Sequence, residues 1–287
     1  MFPKSTWLVL LFLSVSVVAV KAQSKKWKAL AVKADTLYNR EEYGAAVELY
    51  TKILNANPPR NGKYEDRTMY GFLYKRAVSY YSIQEYDKAL ADVILFEPQY
   101  PRSPQPKLLK AFIYRELDDL DKQLENLSAA MALQPANPDF LKWRGKLYIQ
   151  KQMYSQARKD LMEARQFEID AELETYLGLC YYHTGQRDSA YISFNHAIEL
   201  NPTFMATYLY AGSMALEDGN FLLGLEYVNL ALRLDGKNPD LLYYKGVALI
   251  ELNRTEEGCR CLNRAFYAGS DDAADYLEEY CFGGTGR

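Results

Sequence analysis

The chain has 287 residues, with 34 Lys plus Arg against 37 Asp plus Glu and 49% apolar content, a balance that excludes disordered and collagen-like chains. Sixteen Gly and eleven Pro are too few for low complexity, whereas 25 Tyr is well above the usual share. A net charge of −3 argues against a nucleic-acid or anionic-lipid binder, since both need a basic surface.

The N-terminus has the pattern of a cleavable export signal over residues 1–22. Lys4 supplies the positive start, Trp7 to Val20 is uncharged and apolar, and Val20-Lys21-Ala22 offers small residues for cleavage. Fourteen helical residues reach about 21 Å, short of the ~30 Å apolar slab of a bilayer. The mature chain is therefore expected to begin near Gln23, to carry no transmembrane span, and to reach the periplasm or the exterior. No Cys near the cut suggests a lipid anchor. Losing Lys4 and Lys21 would take the net charge to about −5.

Small residues then recur at Ala34, Ala77, Ala111, Gly145, Gly178, Gly212 and Gly246, at intervals of 43, 34, 34, 33, 34 and 34. Twelve residues after each stand Ala46, Ala89, Gln123, Ala157, Ala190, Gly224 and Gly258, with Gln123 the exception to a small side chain. Large residues keep the same beat: Tyr50, Val93, Leu127, Leu161, Phe194, Val228 and Leu262 lie sixteen after, and Leu37, Tyr80, Tyr114, Tyr148 and Tyr181 lie three after. Apolar spacings of three and four, broken midway by turns such as His183-Thr184-Gly185-Gln186, predict two short antiparallel helices per unit. The small residues mark where the two helices cross, and Pro58, Pro101, Pro135 and Pro202 mark unit ends. The units fall at about 27–58, 70–101, 104–135, 138–169, 171–202, 205–236 and 239–270.

Two stretches break the rhythm, one around Pro58-Pro59-Arg60-Asn61-Gly62-Lys63 and one from Pro98 to Pro106, and both are expected to be exposed connectors. After the seventh unit, residues 271–281 predict an acidic capping helix with Ser270 or Asp271 as its N-cap, followed by a flexible tail over 283–287.

These units resemble tetratricopeptide repeats, 34-residue helix-turn-helix modules with this pattern of small and aromatic residues. Residues 171–202 resemble the repeat most, with Leu177, Gly178, Tyr181, Gly185, Ala190, Phe194, Ala197 and Pro202 in step. The resemblance implies an all-α fold: a right-handed superhelical α-solenoid of about seven repeats within residues 23–282. It further implies a concave groove lined by positions three before and one, four and five after each first small residue. Those residues are Tyr74, Val78, Tyr81, Leu108, Phe112, Arg115, Lys142, Lys146, Ile149, Gln150, Thr175, Leu179, Tyr182, His183, Leu209, Leu216, Tyr243, Val247 and Ile250. The expected groove is aromatic and aliphatic with a basic patch at Lys142 and Lys146, a surface for a protein or peptide partner. Asn partners for the two lysines are missing, so the family's grip on C-terminal carboxylates of chaperone tails is not expected.

Four cysteines suit neither a disulfide scaffold nor a metal knuckle. Cys259 and Cys261 point to different faces of one helix, so at most one can meet Cys281; Cys261–Cys281 is the disulfide taken forward, with Cys259–Cys281 or simple buried thiols as alternatives. No catalytic, phosphate-loop or zinc signature surrounds His183 or His196, and no cofactor is expected. Glu168, Asp170, Glu172 and Glu174, like Asp118, Asp119 and Asp121, read as solvated charge, while His183 could serve a pH-sensitive contact. The expected role is a non-catalytic adaptor. The alternatives are a structural subunit of a cell-envelope assembly or a homo-oligomer, and behind them an enzyme or small-ligand receptor.

Overall fold

The computed structural model describes residues 25–134 and 137–282. The expected export signal, the cleavage point before Gln23, Pro135 and the tail from Gly283 lie outside the described residues. Fifteen α-helices account for nearly all of them, and no strand occurs among the described residues beyond an isolated bridge between Arg60 and Lys63. None of the helices is long and apolar enough to cross a membrane. The chain divides into two compact units, residues 1–137 and 138–287.

The first unit holds three helix pairs: α1 (Lys25–Asn39) with α2 (Tyr43–Ala56), α3 (Thr68–Ser82) with α4 (Tyr86–Phe96), and α5 (Gln105–Glu116) with α6 (Leu120–Leu133). The second holds four: α7 (Pro138–Gln150) with α8 (Tyr154–Ala164), α9 (Ala171–His183) with α10 (Arg187–Leu200), α11 (Met205–Glu217) with α12 (Phe221–Leu234), and α13 (Pro239–Glu251) with α14 (Thr255–Tyr267). Within each unit every pair packs on the next, so each is a solenoid of helical hairpins.

The side chains sixteen after the first small residue, from Tyr50 to Leu262, are all 0% exposed. Each enters the space that its small partner leaves. A Cβ on Gly178 would stand 2.5 Å from Phe194 Cε1, and one on Gly246 2.6 Å from Leu262 Cγ, so glycine there permits an approach that alanine does not. Gln123, at a small-residue position, is nonetheless buried. The tyrosines three after the small residue lie half-buried under cations: Arg76 over Tyr80, Lys122 over Tyr114, Arg144 over Tyr148 and Arg158 over Tyr181, at 5.1–5.8 Å from ring centre. Two hairpins also share an internal ion pair at one register, Arg76 with Asp92 and Arg144 with Asp160, each bidentate.

All seven hairpin turns have one geometry, although only two contain glycine at the turn. The residue seven after the first small one adopts positive φ: Glu41, Gln84, Asp118, Gln152, Gly185, Gly219 and Asn253. The next amide donates back to the carbonyl five residues earlier, as Gln186 does to Tyr181 at 2.9 Å and Met153 to Tyr148 at 2.8 Å. This is the Schellman closure of a helix C-terminus.

The two irregular stretches differ from each other. Residues 57–67 form an open loop anchored by Tyr64, whose amide donates to the Tyr70 hydroxyl at 3.0 Å. The Pro98–Pro106 stretch is more ordered than an exposed connector: Glu97–Gln99 is a turn of 3₁₀ helix, Pro106 is buried in the first turn of α5, and Lys107 and Lys110 both clamp Glu97.

At the C-terminus α15 (Asp272–Leu277) runs into a π turn, Glu278–Phe282, and buries Ala273 and Leu277 against the last hairpin. Asp271 occupies the N-cap without a side-chain bond, contrary to expectation, because its backbone is already helical (φ −67°, ψ −37°) rather than extended. The disulfide joins Cys259, not Cys261, to Cys281 with Cα atoms 5.8 Å apart. Cys261 points inward to Ala248, Leu249 and Leu225 and remains a buried thiol, whose pKa burial raises.

Candidate partner-binding face

In the first unit the expected groove residues divide by depth. Val78, Tyr81 and Leu108 are buried, Tyr74 and Phe112 are half-buried, and Arg115 is exposed. The Tyr74 ring lies 4.8 Å from Phe96, and the Arg115 guanidinium covers the Phe112 ring at 5.3 Å while donating to the Tyr81 hydroxyl and to Glu116.

The second unit divides likewise. Leu179, Tyr182, Ile250 and Thr175 are buried, whereas Ile149, Leu209, Leu216, Tyr243 and Val247 are half-buried. Gln150 and His183 are exposed, the latter stacked on Tyr154 at 4.1 Å. Of the expected lining, Val78, Tyr81, Leu108, Lys142, Thr175, Leu179, Tyr182 and Ile250 are thus buried within the fold. Tyr182 shows why. Its hydroxyl crosses from α9 to the end of α11, donating to Asp218 at 3.0 Å, and Thr175 meets Thr207 of α11 at 2.6 Å. Tyr191 and Arg187 also bind Asp218, at 3.0 and 2.5 Å. Burial pushes the Asp218 carboxyl up, but these donors outweigh it and hold the group below its ordinary pKa, while burial and Asp218 push Tyr182 up to about 12.

The basic patch is not a free one. Lys142 is buried with Nζ 2.8 Å from Asp170, and Lys146 Nζ is 2.8 Å from Glu172 and 5.3 Å over the Tyr176 ring. Of the acids at this junction, Glu168 is solvated as expected, whereas Asp170, Glu172 and Glu174 are structural. Asp170 caps α9 by accepting the Leu173 amide, and Asp119 caps α6. Glu174 is fully buried, with Arg165 Nε at 2.6 Å and His196 at 3.6 Å. Burial raises the Asp170 carboxyl, yet Lys142 and the helix amides outweigh it and leave it lowered.

The row that the expected groove omitted lies two residues before the small one. There α7, α9, α11 and α13 carry Trp143, Tyr176, Tyr210 and Tyr244, all half-buried, one aromatic per hairpin. Tyr176 is pushed up to about 12 by burial, with Glu172 and Tyr210 contributing. Extending the small-residue frame by one further position would have revealed the row in the sequence. Beyond Tyr244 the rings continue through Tyr243 (5.5 Å), Tyr276 (5.8 Å) and Tyr280 (4.9 Å). No cluster of three or more His, Cys, Asp or Glu among the described residues could hold a metal ion.

Comparison with known proteins agrees with this architecture. The tetratricopeptide repeat family model matches residues 177–204, in the fifth hairpin. Tetratricopeptide repeat protein 6 of Homo sapiens is 22% identical over 208 residues, 72% of this chain but only 38% of that protein, so the chain spans well under half its relative's length. A tetratricopeptide repeat protein from Parabacteroides merdae superposes with a TM-score of 0.61 at 16% identity, over 90% of this chain and 98% of that one. YrrB, described as a TPR protein with an unusual peptide-binding site, gives 0.51 at 18% identity, over 65% of this chain and 97% of its own. With seven hairpins in one register and the family's own pattern matched in the fifth, this chain is a tetratricopeptide-repeat protein.

Proposed function

We propose that the protein is an exported, non-catalytic adaptor that holds a segment of a partner protein along the first helices of its repeats. The observation that carries this reading is the row Trp143, Tyr176, Tyr210 and Tyr244. Half-buried aromatics at a fixed interval offer large, rigid contact area, and such side chains supply much of the affinity at protein interfaces. The peptide-binding site of the like-folded YrrB is consistent with it. Export is supported by the apolar run Trp7 to Val20 and by the Cys259–Cys281 disulfide, which suits an oxidising compartment.

The test is affinity capture from the native envelope fraction by wild type and by a Tyr176→Ser, Tyr210→Ser variant, with circular dichroism to verify folding. A partner held by wild type and lost by the folded variant supports the adaptor reading; equal capture refutes a site on this row. Export is checked separately by N-terminal sequencing of the mature protein, which should begin near Gln23.

A further inference from the structure

The second unit contains one ammonium site that the chain fills itself. Lys146 Nζ sits between the Glu172 carboxylate, at 2.8 Å, and the Tyr176 ring, at 5.3 Å. In the repeat frame Glu172 lies six before Gly178, Tyr176 two before it, and Lys146 one after Gly145. Two repeats further on, the same three positions hold Asp240, Tyr244 and Ser213. Carboxylate and ring recur, but a hydroxyl stands where the ammonium stood, and it donates to the Tyr210 carbonyl of its own helix at 3.1 Å. The intervening repeat, with Ala206 and Leu179 at the carboxylate and lysine positions, has neither charge.

The surroundings of Tyr244 intensify the negative field. Asp240, Asp272 and Glu217 all act on its phenol, and Asp272 and Asp275 act on the adjoining Tyr243. Asp240, Asp272 and Asp275 enter no ion pair with the described residues, and Glu217 accepts the Tyr182 hydroxyl at 3.3 Å. A ring face beside a carboxylate attracts a cation by quadrupole and by charge together. We propose that Tyr244 and Asp240, flanked by Asp272 and Glu217, hold a lysine side chain from a basic segment of a partner protein. This inference rests on the adaptor reading and specifies the chemistry of its partner.

The probe is a fluorescein-labelled, capped octalysine followed by anisotropy against the purified protein, with capped octaglutamate beside it. Wild type should bind octalysine saturably at 50 mM salt and more weakly at 300 mM, and should not bind octaglutamate. Ser213→Lys supplies the ammonium from within, as Lys146 does, and should weaken octalysine binding about tenfold or more without lowering the melting temperature. Asp240→Asn, an independent variant, should weaken it about as much, whereas Lys146→Ala, which frees Tyr176 and Glu172, should strengthen it. Equal affinity for wild type, Ser213→Lys and Asp240→Asn would overturn the proposal, as would no binding up to millimolar protein. A wild-type dimer that Ser213→Lys abolishes would also overturn it, by assigning the lysine to a second copy. Partner capture that needs Tyr176 and Tyr210 yet ignores Ser213→Lys would leave the adaptor standing and remove only the lysine site.

Discussion

Gly178→Ala isolates the cost of closing the space between paired helices. The added Cβ would lie 2.5 Å from Phe194 Cε1 and 2.7 Å from Cδ1. Phe194 is fully buried, so its ring yields only by pushing neighbours that are themselves packed. Overpacking of this kind costs about 1–3 kcal/mol, while alanine's helix propensity returns about 1 kcal/mol. The net expectation is a loss of about 1 kcal/mol. Gly212→Ala is the internal control: it gains the same propensity, but the nearest atom to its Cβ is a Val228 methyl at 3.2 Å, which a small shift relieves. It should be neutral or slightly stabilising, about 1–2 kcal/mol better than Gly178→Ala. Urea unfolding followed by far-ultraviolet circular dichroism measures both, with an unchanged slope showing that stability alone has moved. Gly178→Ala matching wild type while Gly212→Ala loses stability would refute the reasoning, because the order of contact distances would then not set the order of costs.

Gln152→Gly should stabilise the fold by about 0.5 kcal/mol, since a left-handed residue with a side chain costs about 1–2 kcal/mol and glycine gives part of that back through unfolded-state entropy; Gly185→Ala should do the reverse, and thermal melts distinguish them. Asp170 titrates below its ordinary value, so its contribution is present above the unfolded pKa near 3.9 and fades as pH falls through the lowered value. Denaturant titrations at pH 6 and pH 3 should show that loss in wild type and a smaller one in Asp170→Asn, which retains a cap but no charge. Cys259→Ser should cost about 3 kcal/mol through the 22-residue separation that the disulfide spans, and non-reducing peptide mapping should find Cys281 linked to Cys259 in wild type.

The helix pairs were readable from the chain because close packing leaves a periodic trace. Ala77 or Gly178 admits its partner helix only by being small, and Val93 or Phe194 fills the space that results. The shared turn left no such trace. Its hydrogen bonds join backbone to backbone, so Glu41, Gln84 and Gln152 adopt the same positive φ as Gly185 with no residue type in common. The candidate face was readable only in part, since burial between repeats depends on the packing of successive first helices. Val78 and Tyr182 lie on the face and within the fold at once, and the pattern alone does not separate the two. The disulfide turned on a similar choice, the rotation of α14, which directs Cys261 inward and leaves Cys259 for Cys281.

A turn held entirely by main-chain atoms also leaves its side chains uncommitted. The five turn residues other than Gly185 and Gly219, from Glu41 to Asn253, can exchange charge or polarity with little consequence for the hairpins they close, so long as the newcomer tolerates a positive φ. Diversity in surface chemistry and constancy of architecture are thereby uncoupled at five points along the chain, and each offers a place where a charge or a label could be written into the protein without redrafting the helices beneath.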